Sequence, residues 1–317
     1  MYLCKLATKF EKNCMVSKEN IGDSFRSLQD EICHAIETTD QKGKFKEDAW
    51  HHHSGGGGRT RVLTDGRILE KGGVNFSEVQ GKTSPALQKQ LNLSEEADYF
   101  ATGVSIVMHP LSPQVPIIHM NVRYFEMSNG IWWFGGGIDL TPHYIVPAQA
   151  QWFHQQLESV CRAFDENAYE EYKTWADRYF YLPHRQETRG VGGIFFDYLS
   201  TDKLGKSKEE IHQFVLQVGK SFAPIYTHLM TINADKPYTE SEKQWQYVRR
   251  GRYVEFNLVW DRGTKFGLET NGRTESILMS LPPTAQWHYD FQIEPGSPED
   301  HTNSLLRQGV NWLSMEI

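Results

Sequence analysis

Disulfide chemistry is the first thing this chain does without. Its 317 residues include four cysteines, Cys4, Cys14, Cys33 and Cys161, in no CxxC pair and at no zinc-ligand spacing. A chain of this length can bury a core without covalent staples, so they read as reduced thiols. Long apolar runs are missing too. None approaches the roughly 20 residues of a membrane-spanning helix, so no span is expected. Positive charge is in short supply: 33 Lys and Arg stand against 40 Asp and Glu, a net charge of -7. That balance argues against nucleic acid as the main partner. The opening stretch MYLCKLATKFEKNCMVSKEN has neither the apolar core of a signal peptide nor an Arg-rich transit pattern, and the expected compartment is the cytoplasm. The usual nucleotide and hydrolase motifs fail as well. GKTS at 81–84 would need a glycine where Phe76 stands, and GVGG at 190–193 meets Phe195 where GxGxxG needs its last glycine. HExxH, GxSxG and HxE…CxxC do not occur.

What remains is apolar and aromatic. Hydrophobic residues make up 39% of the chain and aromatics 13%, nine of them Trp, enough for one large core. Residues 1–20 read as a tail. Ile21, Phe25, Leu28, Ile32 and Ile36 recur at helical steps. HHHSGGGG at 51–58 suggests close approach of backbone, and TRVLTDGRILEKGG a hairpin with Asp65-Gly66 as its two-residue turn. Strands are expected over 103–109, 117–127, 131–140, 252–260 and 276–281. Helices are expected over about 147–164, 166–182, 207–232, 239–249 and 299–313. Strands and helices fall in blocks, with no repeat and no linker between them. The fold expected is therefore a single α+β domain over 21–317, with a large, mainly antiparallel sheet flanked by helices on both faces.

Three constellations carry chemistry. On the strand IIHMNVRYF, alternation puts His119, Asn121 and Arg123 on one face, with Ser105 and His109 sharing a face of the strand before it. A solvent-facing sheet would explain one such triplet; two adjacent strands contributing polar groups point to a ligand. The segment 247–276 is dense in arginine, suited to carboxylate or phosphate, although a surface patch paired to Glu255, Asp261, Glu269 and Glu275 would read the same way. In GIWWFGGGIDLTP, residues 130–142, an aromatic run meets a bare glycine run and one acid, Asp139. Together these describe a pocket for a flat apolar ligand carrying carboxylates and N–H donors. Arginines would hold the carboxylates, glycine backbone would admit the ring, and Asp139 would accept from ring N–H groups, while Trp132 to Phe134 pack mainly as core. Asp139 capping the turn before Thr141-Pro142 is the plainer alternative.

The runs GGGGRTRVL, GVSIVMHPLSPQVPIIHMNVRYF, WWFGGGIDLTP, YFYLPHRQETRGVGGIFFD and RRGRYVEFNLVWDRGTKFGLETNGRTESILMSLPP resemble oxygen-dependent coproporphyrinogen III oxidases, over about residues 21–314. The resemblance implies oxidative decarboxylation of the ring A and B propionates of coproporphyrinogen III to vinyl groups, giving protoporphyrinogen IX in haem biosynthesis with O2 as electron acceptor. It places the proton donor on His119 and the pyrrole-facing acid on Asp139. Its substrate contacts fall on Ser105, on Asn121, Val122 and Arg123, and on Asn271, Gly272 and Arg273, where Asn271 replaces the usual glycine. His109, His119, His154 and His184 match positions described as metal ligands in bacterial members; no cofactor beyond O2 is expected to be required, and a divalent metal is doubted. A homodimer is implied, with the SGGGGRTRVL strand and the 253–288 region at the interface. A metal-dependent oxygenase built on those histidines, and a non-catalytic tetrapyrrole carrier, are the competing readings. His51, His52 and His53 match nothing in the family and receive no role.

Overall fold

The computed structural model describes residues 16–83, 88, 94–269 and 272–315. At its centre a seven-stranded antiparallel sheet runs in the order β1-β2-β3-β4-β5-β6-β9. The first six strands form a meander: β1 (Phe45–His51), β2 (Gly56–Thr64), β3 (Leu69–Lys82), β4 (Asp98–Pro110), β5 (Ile117–Met127) and β6 (Trp132–Thr141). The chain then leaves through α2 (Pro147–Arg162), α3 (Ala168–Tyr179) and a small hairpin of β7 (Tyr181–Leu182) and β8 (Glu187–Thr188). It returns as β9 (Gly192–Leu199) beside β6 and runs on into the short α4 (Thr201–Leu204). This is the α+β architecture that the block pattern implies.

Alternation along the strands divides the molecule into two sides. Even-numbered residues of β4 to β6 point one way, among them Val104, Ile106, Met120, Val122, Phe134 and Ile138, all fully buried. They pack beneath α1 (Lys18–Asp40) and α5 (Lys208–Asn233), whose own apolar residues recur at three- and four-residue steps. Ser17 caps α1 by accepting from the Asn20 N–H, so the helix starts earlier than Ile21. Residues 1–15 of the expected tail, with Cys4 and Cys14, lie outside the described residues; Cys33 and Cys161 are buried free thiols, pushed up to about 12 by burial.

Odd-numbered residues point the other way, and helices cover that side as well: α6 (Glu240–Glu255), a π-helical turn over Phe256–Trp260, α7 (Arg262–Glu269) and α8 (Thr274–Leu278). Tyr253 of α6 packs on Val107 and Ile117, and the Ser276 hydroxyl lies 2.7 Å from that of Thr60. Here two expectations are corrected, since 252–260 and 276–281 are not strands. Their β-branched and aromatic residues suit a pleated surface, but the sheet offers them a face rather than an edge. Tyr253, Phe256 and Asn257 then share one helical stripe that buries against it. The last helix is also shorter than expected, α9 (Pro298–Leu305) followed by a 3-10 turn at Trp312–Ser314.

The β2–β3 hairpin has a four-residue connection, Asp65 to Ile68, in place of a two-residue turn. Asp40 is the reason. Its buried carboxylate accepts from the N–H groups of Gly43, Arg67, Ile68 and Leu69 at 2.6, 2.9, 2.9 and 2.9 Å, which draws the loop onto the end of α1. Among the described residues no helix is long and apolar enough to cross a membrane.

Candidate active site

The odd face of the sheet is unusually bare. Cross-strand pairing aligns Thr60, Asn75, Ser105, Asn121, Gly137 and Phe195 in one row. On either side lie Val62, Gly73, Val107, His119, Asp139 and Gly193, and Gly58, Ser77, Gly103, Arg123 and Gly135. Small side chains dominate, so the pleated backbone itself forms a broad floor. At Gly135 a Cβ would stand 2.4 Å from Asp197 Oδ1 and 2.9 Å from Arg123 Nε, so only glycine leaves room for that ion pair. At Gly58 a Cβ would meet the Trp50 ring at 2.4 Å; Trp50 lies across the glycine and donates to Thr60 Oγ1 at 3.1 Å. The glycine-rich stretch after His53 therefore forms β2 and lets an aromatic wall lie flat at one side of the floor.

His119 and Asp139 are direct cross-strand partners. Nδ1 of His119 lies 2.8 Å from Asp139 Oδ1, while 21% of the His119 side chain is exposed and only 1% of that of Asp139. Asp139 is held from behind by Arg189, whose Nη2 and Nε donate to its two oxygens at 2.7 and 3.2 Å. The Arg189 guanidinium sits 4.5 to 4.6 Å from the ring centroids of Phe180, Tyr253 and Phe256, and its Nη1 donates to Asn257 at 2.8 Å. A buried charge needs such pairing. Burial pushes the Asp139 carboxyl up, but Arg189 and His119 together outweigh it and hold the group below the usual carboxylate range. Both carboxylate oxygens face protein donors, so Asp139 reaches the floor through the imidazole in front of it. With Nδ1–H given to Asp139, Nε2 is the nitrogen of His119 left for another partner.

Arginines stand at two ends of the floor. Arg123 pairs with Asp197 at 2.6 Å and keeps 39% of its side chain exposed. Arg273 leads into α8, pairs with Asp48 of β1 and donates to Ser276 at 3.1 Å. Their anchoring strands, β1 and β5, are four strand spacings apart, roughly 19 Å. Ser105 and Asn121 lie between them on the middle row. Val122 differs from the other expected contacts: its side chain is fully buried on the opposite face, which leaves only its backbone for the floor. Gly272 donates its N–H to Gly267 at 2.8 Å, and Asn271 lies outside the described residues.

The four candidate metal-ligand histidines do not converge. His109 is buried with Nε2 2.8 Å from the Ser280 carbonyl. His154 lies between the Tyr169 hydroxyl at 2.9 Å and the Val191 carbonyl at 3.0 Å, and burial brings it down to about 3. His184 is at the surface, 2.8 Å from Glu255 through Nε2 and accepting from Trp260 through Nδ1 at 3.0 Å. Only His119 is on the floor beside Asp139. Among the described residues no group of three His, Cys, Asp or Glu side chains is placed to hold a metal ion. Sequence reading missed Arg189, Asn257 and Asp197. Alternation along β9 from Gly193 and Phe195 could have found Asp197, whereas Arg189 precedes that strand in a loop and carries no periodic signal.

Similarity to known proteins now bears on this geometry. Residues 20–312 match the family model described as Coproporphyrinogen III oxidase. The chain belongs to that family. Its curated relatives include an oxygen-dependent coproporphyrinogen-III oxidase of Prochlorococcus marinus (strain MIT 9312), 44% identical in an alignment of 320 positions that covers 94% of this chain and 93% of the relative. Enzymes of the same name from Synechococcus sp. (strain CC9605) and Prochlorococcus marinus (strain NATL2A) are 44% and 45% identical, over 94% and 90% of this chain and 88% of each relative. In this coproporphyrinogen III oxidase family member the match begins inside α1 and ends at the 3-10 turn, so it takes in the whole sheet and every residue of the floor.

Proposed function

We infer that this chain is an oxygen-dependent coproporphyrinogen III oxidase, converting two propionates of the tetrapyrrole to vinyl groups with O2 as electron acceptor. The observation that carries this reading is the flat, small-residue floor with His119 over buried Asp139 and an arginine at either end, in a chain of this family. Atoms and electrons balance over each turn. The propionate breaks its bond to the carboxylate carbon and loses a hydrogen from the carbon next to the pyrrole, giving CO2, the vinyl group, one proton and two electrons. O2 takes the two electrons and two protons to form H2O2. One proton is therefore drawn from the site or solvent per decarboxylation.

The residues divide that work. A reduced tetrapyrrole can fold its ring over the small-residue floor, with the Arg123–Asp197 pair occupying the space over Gly135. Arg123 and Arg273 bind carboxylates at its rim, with Ser105, Asn121, the backbone of Val122 and the 271–273 turn as further contacts. His119 moves the proton at Nε2. Asp139 orients its ring and favours positive charge in front of it, both on the imidazole and on a pyrrole losing electrons. The electron-rich pyrrole is itself the reductant, and we propose that no metal or further cofactor is required. A homodimer in the cytoplasm completes the proposal. It is supported by the exposure of Leu258, Val259, Trp260, Phe266, Leu268 and Trp287, an apolar band extensive for a chain in water. The test is incubation of chelator-treated protein with coproporphyrinogen III under air and under nitrogen. Divinyl product under air only is the expected result. Product that requires one added metal, or none under either gas, would overturn the reading.

A further inference from the structure

Asn75 stands in the middle row of the floor, half-buried between Thr60 of β2 and Ser105 of β4. A chain of hydrogen bonds reaches it from two groups that can only donate. Arg273 Nη1 donates to Ser276 Oγ at 3.1 Å, and Trp50 Nε1 donates to Thr60 Oγ1 at 3.1 Å. The Ser276 and Thr60 hydroxyls lie 2.7 Å apart, and Thr60 donates to Asn75 Oδ1 at 2.7 Å. A threonine hydroxyl has one hydrogen. Since it goes to Asn75, Ser276 is the donor in its contact with Thr60. Every bond therefore points the same way, from the Arg273 guanidinium to the carbonyl oxygen of Asn75. Such a chain polarises in one sense, and the charge at its head strengthens the donor at its tail. That tail is Asn75 Nδ2. Among the described residues its N–H groups have no protein partner, and neither does the hydroxyl of Ser105, its direct cross-strand neighbour. Residues opposed in this way hold their Cβ atoms about 4.5–5.5 Å apart, so both can donate to the two oxygens of one carboxylate.

The oxidase reaction proposed for this chain, on which the assignment of Asn75 rests, supplies a ligand with four carboxylates. Asn75 lies two strand spacings across and two residues along from His119, roughly 12 Å between Cα atoms. That spacing suits a second propionate of the same ring system rather than the one reacting at His119. We propose that Asn75 is a substrate-binding residue, its Nδ2 donating beside the Ser105 hydroxyl to a propionate carboxylate that stays on the tetrapyrrole while another reacts. The Arg273 end of the floor thus extends inward as a line of oriented dipoles, and a neutral amide carries its positive character to the middle row.

Asn75→Asp and Asn75→Ala separate this role from a structural one. Aspartate keeps an oxygen for Thr60 and changes only the group facing the floor, from a donor amide to an anionic carboxylate. Alanine breaks the chain but leaves the floor neutral. A merely structural Asn75 therefore tolerates Asn75→Asp better, and a carboxylate-binding one tolerates Asn75→Ala better. Kd is measured for coproporphyrinogen III under nitrogen by ultrafiltration, and KM and kcat under air. Asn75→Asp should weaken binding at least about thirtyfold, through repulsion of like charges. Asn75→Ala should weaken it about three- to tenfold, the scale of one net hydrogen bond. The same factors should appear in KM, with kcat within about twofold of the parent, as for a contact made equally in ground and transition states. With an active parent, an Asn75→Asp variant that binds as tightly as the parent overturns the contact and leaves Asn75 a support for Thr60. A loss confined to kcat overturns it as well. A parent inactive on coproporphyrinogen III under air overturns the proposed function, and the contact with it.

Discussion

Two buried aspartates do different work at the scale of single residues. Asp40 is a structural anchor. Burial pushes its carboxyl up, but the N–H groups of Gly43, Leu69, Arg67 and Ile68 outweigh that and leave it below its ordinary 3.8. Its contribution is therefore complete above the unfolded carboxylate range and is lost as pH falls through the lower folded value. Asp40→Ala strands five donors, that of Lys42 included, and should cost about 3 kcal/mol, read as a lower Tm, with kcat unchanged in the protein that remains folded. Asp139 is lowered in the same direction by Arg189 and His119, so its share of stability also falls away only in acid. Asp139→Asn should abolish most of kcat. It should also destabilise by roughly 3–5 kcal/mol, because Arg189 is left as an unpaired charge among three rings. Adding Arg189→Met should recover part of the stability and none of the rate. His119→Ala, by contrast, should lower kcat by about 10²–10⁴ with little change in Tm, since that side chain is partly open and no charge is stranded. Equal stability losses in His119→Ala and Asp139→Asn would contradict this division.

At the scale of elements, what was legible depended on whether a segment's neighbours resembled its own pattern. Alternation in β4, β5 and β6 showed which residues share a face, and His119, Asn121, Arg123 and Ser105 lie together as that pattern implies. β1 was not legible, because Phe45–His51 is an edge strand whose exposed residues are mostly charged. The 252–260 run misled for the opposite reason: its composition suits a strand, but its partners, Arg189 and Phe180, come from a loop and a helix end about seventy residues away. No local signal records a box assembled from three elements. Arg189 stayed invisible for that reason, although it fixes the acid beneath the imidazole. The two rim arginines also sit on different elements, one on β5 and one leading into α8. Arg123→Ala and Arg273→Ala should each weaken kcat/KM by about 1.5–3 kcal/mol, the range for a hydrogen bond to a charged group. An unchanged kcat/KM in either removes that arginine from the site.

For the molecule as a whole, the resemblance places the 253–288 region at a homodimer interface, and the described part of that region is helical up to Leu278 where strands were expected. The association we propose therefore uses helical side chains, Leu258, Val259 and Trp260 on the π-helical turn with Trp287 nearby. Sedimentation at micromolar concentration should give a dimer, and Val259→Glu with Trp260→Glu should shift it towards monomer. A parent chain that sediments as a monomer would refute the dimer.

The meander has a temporal consequence. Each of the strands β2 to β6 pairs with the strand just before it in the chain, so the floor can assemble as the chain leaves the ribosome, each strand closing onto the last. β6 then waits for β9 with its edge open, about fifty residues of synthesis, and the odd face stays uncovered until α6 to α8 emerge about a hundred residues after β6. During that interval the nascent chain displays a glycine-rich, nearly featureless platform beside an unpaired strand. The feature that admits a flat substrate in the finished protein is thus the surface most open to mispairing during birth, and slowed synthesis between residues 141 and 192 should increase aggregation more than slowing before residue 98.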